Sequence, residues 1–138
     1  MKPILIDTGV IVAILDNTDE WHKACMRAMR QVSRPLATCE AVISESCFLL
    51  QHIPGAAEDV LANVERKIFR ISFQLTDNAD AVSTSMRTYR DMPASFPDAC
   101  LIQMADELDT GDILTLDSNF EHYRWRKTKR FNLLIRPE

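Results

Sequence analysis

The sequence predicts an α/β protein, a three-layer α/β/α sandwich around a central, mainly parallel sheet of about five strands. Three observations carry this reading. Short apolar runs, Ile4-Leu5-Ile6 foremost, alternate with longer segments of helical periodicity, the pattern of repeated βαβ units. The Ile4 run and the Ile113 run are nearly continuous rather than alternating, as in strands buried on both faces. Two of the runs end in an acid, Asp7 and Asp117, and the carboxyl edge of an open α/β sheet is where ligands bind.

Taken in order, Ile4 to Ile6 is the first strand, with Asp7 at its carboxyl end. Val10 to Leu15 is a short apolar helix packed on the sheet. Asp16-Asn17-Thr18 ends it and can cap the next helix; Asp19 and Glu20 suit the positive end of that helix dipole. Trp21, Ala24, Cys25, Ala28, Met29 and Val32 fall on one face at helical spacing, the clearest amphipathic helix in the chain. Pro35 to Cys39 reads as a second strand and Glu40 to Gln51 as the helix after it. Pro54-Gly55 breaks that helix, and Ala57, Val60, Leu61 and Val64 mark another. Phe69 to Phe73 alternates apolar and polar residues, a half-buried strand suited to a sheet edge. Thr76 is expected to cap a helix carrying Ala79, Val82, Met86 and Tyr89 on one face. Asp91 to Ala94 is a loop. Ser95 opens the last long helix, with Pro97 in its first turn and Asp98 answering the cap. Ile113 to Leu116 is a buried strand ending at Asp117, and Ser118 and Asn119 can cap a short helical turn through Tyr123. Leu133 to Ile135 is the last strand.

Length and composition agree with one domain over residues 1–138. The chain is 46 % hydrophobic and 26 % charged, ordinary values for a globular protein. No apolar run approaches the roughly 18 residues of a membrane span, and no signal peptide opens the chain. The four cysteines stand apart with no Cys-x-x-Cys pair, which argues against zinc or a disulfide framework and for a reducing, cytoplasmic setting. The net charge of −4 argues against wholesale nucleic-acid binding but leaves room for a local basic patch. One exists: Arg124, Arg126, Lys127, Lys129 and Arg130 are interleaved with Tyr123, Trp125 and Phe131. It reads either as a solvated connection or as an RNA contact, with Arg124, Arg126 and Lys127 on the backbone and Trp125 or Tyr123 stacking on a base.

The acids are the candidate chemistry. Asp98 shares a helix face with Leu101, Ile102 and Ala105 and is aimed toward Asp7. Thr115 and Asp117 project to one side of their strand. Glu45 has Ala41, Val42, Phe48 and Leu49 at its helical neighbours; a carboxylate there is either paired, protonated or metal-bound, or lies at the edge of the stripe and reaches water. Capping alone accounts for Asp98 and Asp117. Together, Asp7, Glu45, Asp98 and Asp117 are expected to converge. Four carboxylates with no compensating bases make sense beside an anionic substrate only with a hard cation among them, and such cations take oxygen ligands. His22, His52 and His122 are widely separated, and no glycine-rich phosphate loop is present.

In this order, the run Ile4 to Thr8, a mid-helix Glu45, Pro97-Asp98-Ala99, and Leu114 to Phe120 resemble the PIN-domain ribonucleases, in size and layout the VapC-type toxins of bacterial toxin–antitoxin systems. The segment Asn17 to Ala24 is similar as well, and the resemblance spans almost the whole chain. It implies an RNA-cleaving site in which Asp7, Glu45, Asp98 and Asp117 hold Mg²⁺ or Mn²⁺, with Thr8 and Thr115 at the family's hydroxyl positions. It further implies hydrolysis leaving a 5′-phosphate, an RNA substrate, a cognate antitoxin and a homodimer, for which Phe48, Leu50 or Val60 would supply an apolar patch. The residues Ser118 and Asn119 and the richly basic Arg124 to Arg130 depart from the pattern. A signalling receiver domain would want an acidic pair after the first strand and a lysine after the last; a haloacid-type phosphatase would want an acid where Gly9 stands. The alternative that remains is a catalytically silent PIN-like module that binds RNA or a partner.

Overall fold

The structure is a computed structural model, and it describes residues 1–135. Five parallel strands form the central sheet: β1 (Ile4–Ile6), β2 (Leu36–Thr38), β3 (Phe69–Ile71), β4 (Asp112–Leu114) and β7 (Asn132–Leu133), in the order β3-β2-β1-β4-β7. The first strand is thus the middle of the sheet, and the alternating Phe69 segment is an edge strand, as its pattern predicts. β1 pairs Leu5 with Ala37 on one side and with Ile113 on the other. This register brings the carboxyl ends of β1 and β4 level, and the Asp7 amide donates to the Leu114 carbonyl at 3.0 Å. The residues of β1 and β4 face helices on both sides; Leu5, Ile6, Ile113 and Leu114 are fully buried. Each such aliphatic side chain contributes about 1.5–3 kcal/mol, so the floor of the carboxyl edge is among the firmest parts of the molecule.

The helices are α1 (Thr8–Leu15), α2 (His22–Gln31), α3 (Glu40–Leu49), α4 (Ala56–Glu65), α5 (Leu75–Thr88) and α6 (Phe96–Leu108). α1 begins earlier than its apolar run, because Asp7 caps it: the carboxylate accepts from the Thr8 amide at 2.7 Å. α6 begins with the full capping box read from the sequence, Ser95 and Asp98 each accepting from the other's amide. Thr76, by contrast, is not a cap. α5 starts one residue before it, after Gln74, and has no side-chain cap; its buried positions are Asn78 and Val82, while Ala79 and Met86 are exposed. The Asn78 amide reaches Gln103 of α6 at 3.0 Å, so the α5–α6 contact is partly polar and the apolar stripe misjudged its face. Two of the residues expected to form a dimer patch are also misplaced: Leu50 and Val60 are fully buried, whereas Phe48 is 64 % exposed.

The basic segment folds on itself. β5 (Arg124–Trp125) and β6 (Lys129–Arg130) form a two-stranded antiparallel hairpin outside the main sheet. Its turn is left-handed at both Arg126 (φ 45°) and Lys127 (φ 67°), conformations costly for side chains other than glycine. The cost is offset by α6: the Arg126 amide donates to Asp106 at 2.6 Å and its guanidinium pairs with Asp109 at 2.6 Å. Trp125 lies against Gly111, where any side chain would collide with the indole. All four cysteines are free thiols, and among the described residues no helix is long and apolar enough to cross a membrane.

Candidate active site

Three helix starts meet at the carboxyl edge of the sheet. Asp7 ends β1 and caps α1. Asp98 is the third residue of α6. Asp117 follows β4 and caps a 3-10 turn, Ser118–Glu121, by accepting from the Asn119 amide at 2.9 Å. Each acid therefore sits at the positive end of a helix or turn, where backbone N–H groups favour negative charge. With Glu45 from α3, all three line one cleft of about 520 Å³. Thr8, Ser95 and Asn119 also line it, and among the described residues no basic side chain does. Glu45 stands exposed at the rim. Its helical neighbours Phe48 and Leu49 are exposed too, because α3 buries Val42, Ile43 and Ser46 instead; the carboxylate lies at the edge of the stripe and reaches water.

Thr115 is not in the cleft but beneath it. Its buried hydroxyl donates to Asp7 Oδ2 at 2.8 Å and accepts from the Asp117 amide at 3.0 Å, so one side chain fixes two of the acids. Tyr123 holds the third acid, Asp98. Its single phenolic O–H is shared between Asp98 Oδ2 at 3.3 Å and the Pro93 carbonyl at 3.4 Å. Tyr123 is fully buried within a cluster of edge-to-face rings, Tyr89, Phe120 and Phe131. Sequence reasoning gave Tyr123 a stacking role on RNA; burial excludes it. Trp125 is buried as well, with Lys129 Nζ at 4.8 Å from its ring centroid.

The electrostatics follow from burial without a counter-charge. Asp7 is pushed up to about 7, chiefly by burial and further by the charges of Asp98 and Asp117, against the hydrogen bonds from Thr115 and Thr8. Asp98 is raised by burial first and by Asp117 second. The Tyr123 phenol is raised by burial and then by Asp98 and Asp117. A site that makes its own carboxylates reluctant to ionise is one suited to a cation. The donor set is all oxygen, which fits a hard divalent ion, and Thr8 Oγ1 is buried beside Asp7 with no hydrogen-bond partner. Among the described residues no three acids close into a ready cage. Mg²⁺ does not need one, since it keeps several waters beside one or two carboxylates, and the cleft has room for them.

The candidate nucleic-acid contacts fall elsewhere. The Arg124 guanidinium does not line the cleft and donates to the carbonyls of Glu121 and Tyr123 at 2.9 Å. Arg126 and Lys127 are at the hairpin tip. Arg126 is tied to Asp106 and Asp109 at the far end of α6, about 12 to 16 Å from Asp98 along the helix axis. Lys127 is exposed.

Comparison with known proteins bears on the fold and the family. The fold matches the crystal structure of Mycobacterium tuberculosis VapC20, a sarcin–ricin loop cleaving toxin, with a TM-score of 0.81 over 91 % of this chain and 98 % of that one, at 18 % identity. No curated protein matches in sequence. The PIN domain family profile matches residues 4–126, nearly the whole chain, with Asp7, Glu45, Asp98 and Asp117 all inside the match. The chain belongs to the PIN domain family.

Proposed function

We propose that the chain is a metal-dependent endoribonuclease that hydrolyses RNA phosphodiester bonds, acting as the toxin of a toxin–antitoxin pair. One observation carries the chemistry: four carboxylates line a single cleft, and among the described residues no basic side chain lines it. Asp7, Asp98 and Asp117, with Glu45 at the rim, would hold Mg²⁺ or Mn²⁺. When bound, such an ion supplies a water of lowered pKa and offsets charge on the phosphate. The remaining work belongs to the chain. Thr115 and Tyr123 hold the Asp7 and Asp98 carboxylates in one orientation, so little reorganisation accompanies the reaction. Ser95 and Asn119 present neutral groups to a phosphate that the acids alone would repel. The similarity to a VapC toxin supports the RNA substrate and a cognate antitoxin. Exposed Phe48 and Leu61 on the α3 and α4 helices support a homodimer.

The experiment is a cleavage assay on RNA with Mg²⁺ or Mn²⁺, with chelator, and with Asp98→Asn. Cleavage is expected only for the wild-type chain with metal. Cleavage in chelator or by the variant would refute the assignment. The open arrangement of the acids favours, as second reading, a silent module that binds RNA or a partner; RNA binding with no hydrolysis under any metal would establish it.

A further inference from the structure

A second cavity adjoins the acid cleft, and Leu116 lines both. Leu116, Leu133, Ile135 and Trp21 form its walls, and Thr115, Ser118 and Glu121 its polar lining; the Thr115 hydroxyl is already committed to Asp7. Its volume is about 100 Å³, on the order of eight water positions, the scale of one nucleobase rather than of a peptide segment. An aromatic ring beside an apolar floor, with one or two hydrogen-bonding groups, is how proteins hold a base splayed out of single-stranded RNA. We propose that this cavity receives a guanine base of the RNA strand whose phosphate enters the acid cleft, stacked on Trp21 and read by Glu121. The inference rests on the nuclease reading for its substrate and adds the specificity.

The choice of guanine follows from the acceptor. A carboxylate offers two oxygens side by side and no donor. Among the four bases only guanine presents two adjacent donors, N1–H and the 2-amino group, on its Watson–Crick edge. Adenine and cytosine place an acceptor beside their amino group, and uracil flanks its N–H with carbonyls. Glu121 is exposed, and among the described residues its carboxylate makes no hydrogen bond or ion pair. The Arg124 guanidinium, donating to the Glu121 carbonyl at 2.9 Å, offsets its charge toward an anionic strand. An apolar side chain of a protein partner would suit the walls but would leave the Glu121 carboxylate desolvated and unpaired.

The test needs no hydrolysis. A uridine hexamer carrying one guanine, inosine or adenine is titrated in chelator while tryptophan emission is followed. Trp21 and Trp125 are the only tryptophans and Trp125 is buried, so Trp21→Phe supplies the background. The guanine hexamer is expected to quench Trp21 and to bind about tenfold more tightly than the inosine one, which lacks the 2-amino group, as one half of a bidentate contact allows. Glu121→Gln should level guanine and inosine, and Trp21→Phe should abolish the quenching. Equal binding of all three hexamers, or a Glu121→Gln protein that keeps the preference, would overturn the proposal. Selective binding with no cleavage in the metal assay would instead overturn the nuclease reading and leave the base pocket standing.

Discussion

Asp7→Asn in the metal-free protein is the sharpest test of the electrostatics. Unfolded, the carboxyl titrates near 3.8; folded, it is pushed up to about 7. The folded state holds the proton more tightly, so unfolding between those pH values releases it. Stability therefore falls as pH rises from about 4 to 7 and levels off above. The gap amounts to about 4 kcal/mol at pH 8. Asparagine removes that penalty while its oxygen still accepts from the Thr8 amide. Its NH₂ group then faces Thr115 Oγ1, which can accept but loses its own acceptor, a cost of about 1 kcal/mol. The variant should gain about 3 kcal/mol at pH 8, roughly 10 °C in Tm, and lose about 1 kcal/mol near pH 4, where only the Thr115 cost remains. Urea and thermal unfolding of both proteins in chelator, from pH 4.5 to 8, measure this. A wild-type curve parallel to the variant's, or a variant less stable at pH 8, refutes the account of Asp7.

Three further outcomes are expected. Saturating Mg²⁺ or Mn²⁺ should stabilise the wild-type chain by about 2.7 kcal/mol at a hundredfold excess over Kd and Asp98→Asn by less; equal thermal shifts would remove Asp98 from the metal site. Lys127→Ala should weaken RNA binding and lower its log–log salt slope by about one or less with the fold intact, whereas Arg126→Ala should also lower Tm by freeing the hairpin from Asp106 and Asp109; unchanged RNA affinity in both would take the hairpin out of the RNA interface. Phe48→Glu should convert a dimer at tens of micromolar (on the order of a working Kd) to a monomer in light scattering, and a wild-type monomer would remove the dimer.

Much of the fold was legible because its informative features are local. The runs at Ile4 and Ile113 are apolar throughout since both faces of their strands are covered. The Ser95 to Asp98 box is a four-residue signal whose partners are its own amides. The convergence of Asp7, Asp98, Asp117 and Glu45 on one cleft could be anticipated because a parallel sheet sends successive carboxyl ends to one edge. What could not be read depends on contacts distant in sequence. Tyr123 looked like part of a basic surface, and only its packing against Tyr89 and Phe120 shows it to be core. The hairpin needs Asp106, Asp109 and Gly111 to hold it, none of which its own sequence reveals. The α5 stripe failed because a buried Asn78 satisfied by Gln103 is invisible to an apolar count.

The four acids are unequal witnesses to activity. Asp7, Asp98 and Asp117 each hold down the start of a helix or turn, so a lineage that abandoned catalysis would still be under pressure to keep them for folding alone. Glu45 caps nothing and stands exposed at the rim of the cleft. It is the acid that drift would erase first. On the nuclease reading proposed above, a surviving aspartate trio among descendants of such a chain would say only that the protein still folds, and the glutamate on the third helix would be the mark of one that still cuts.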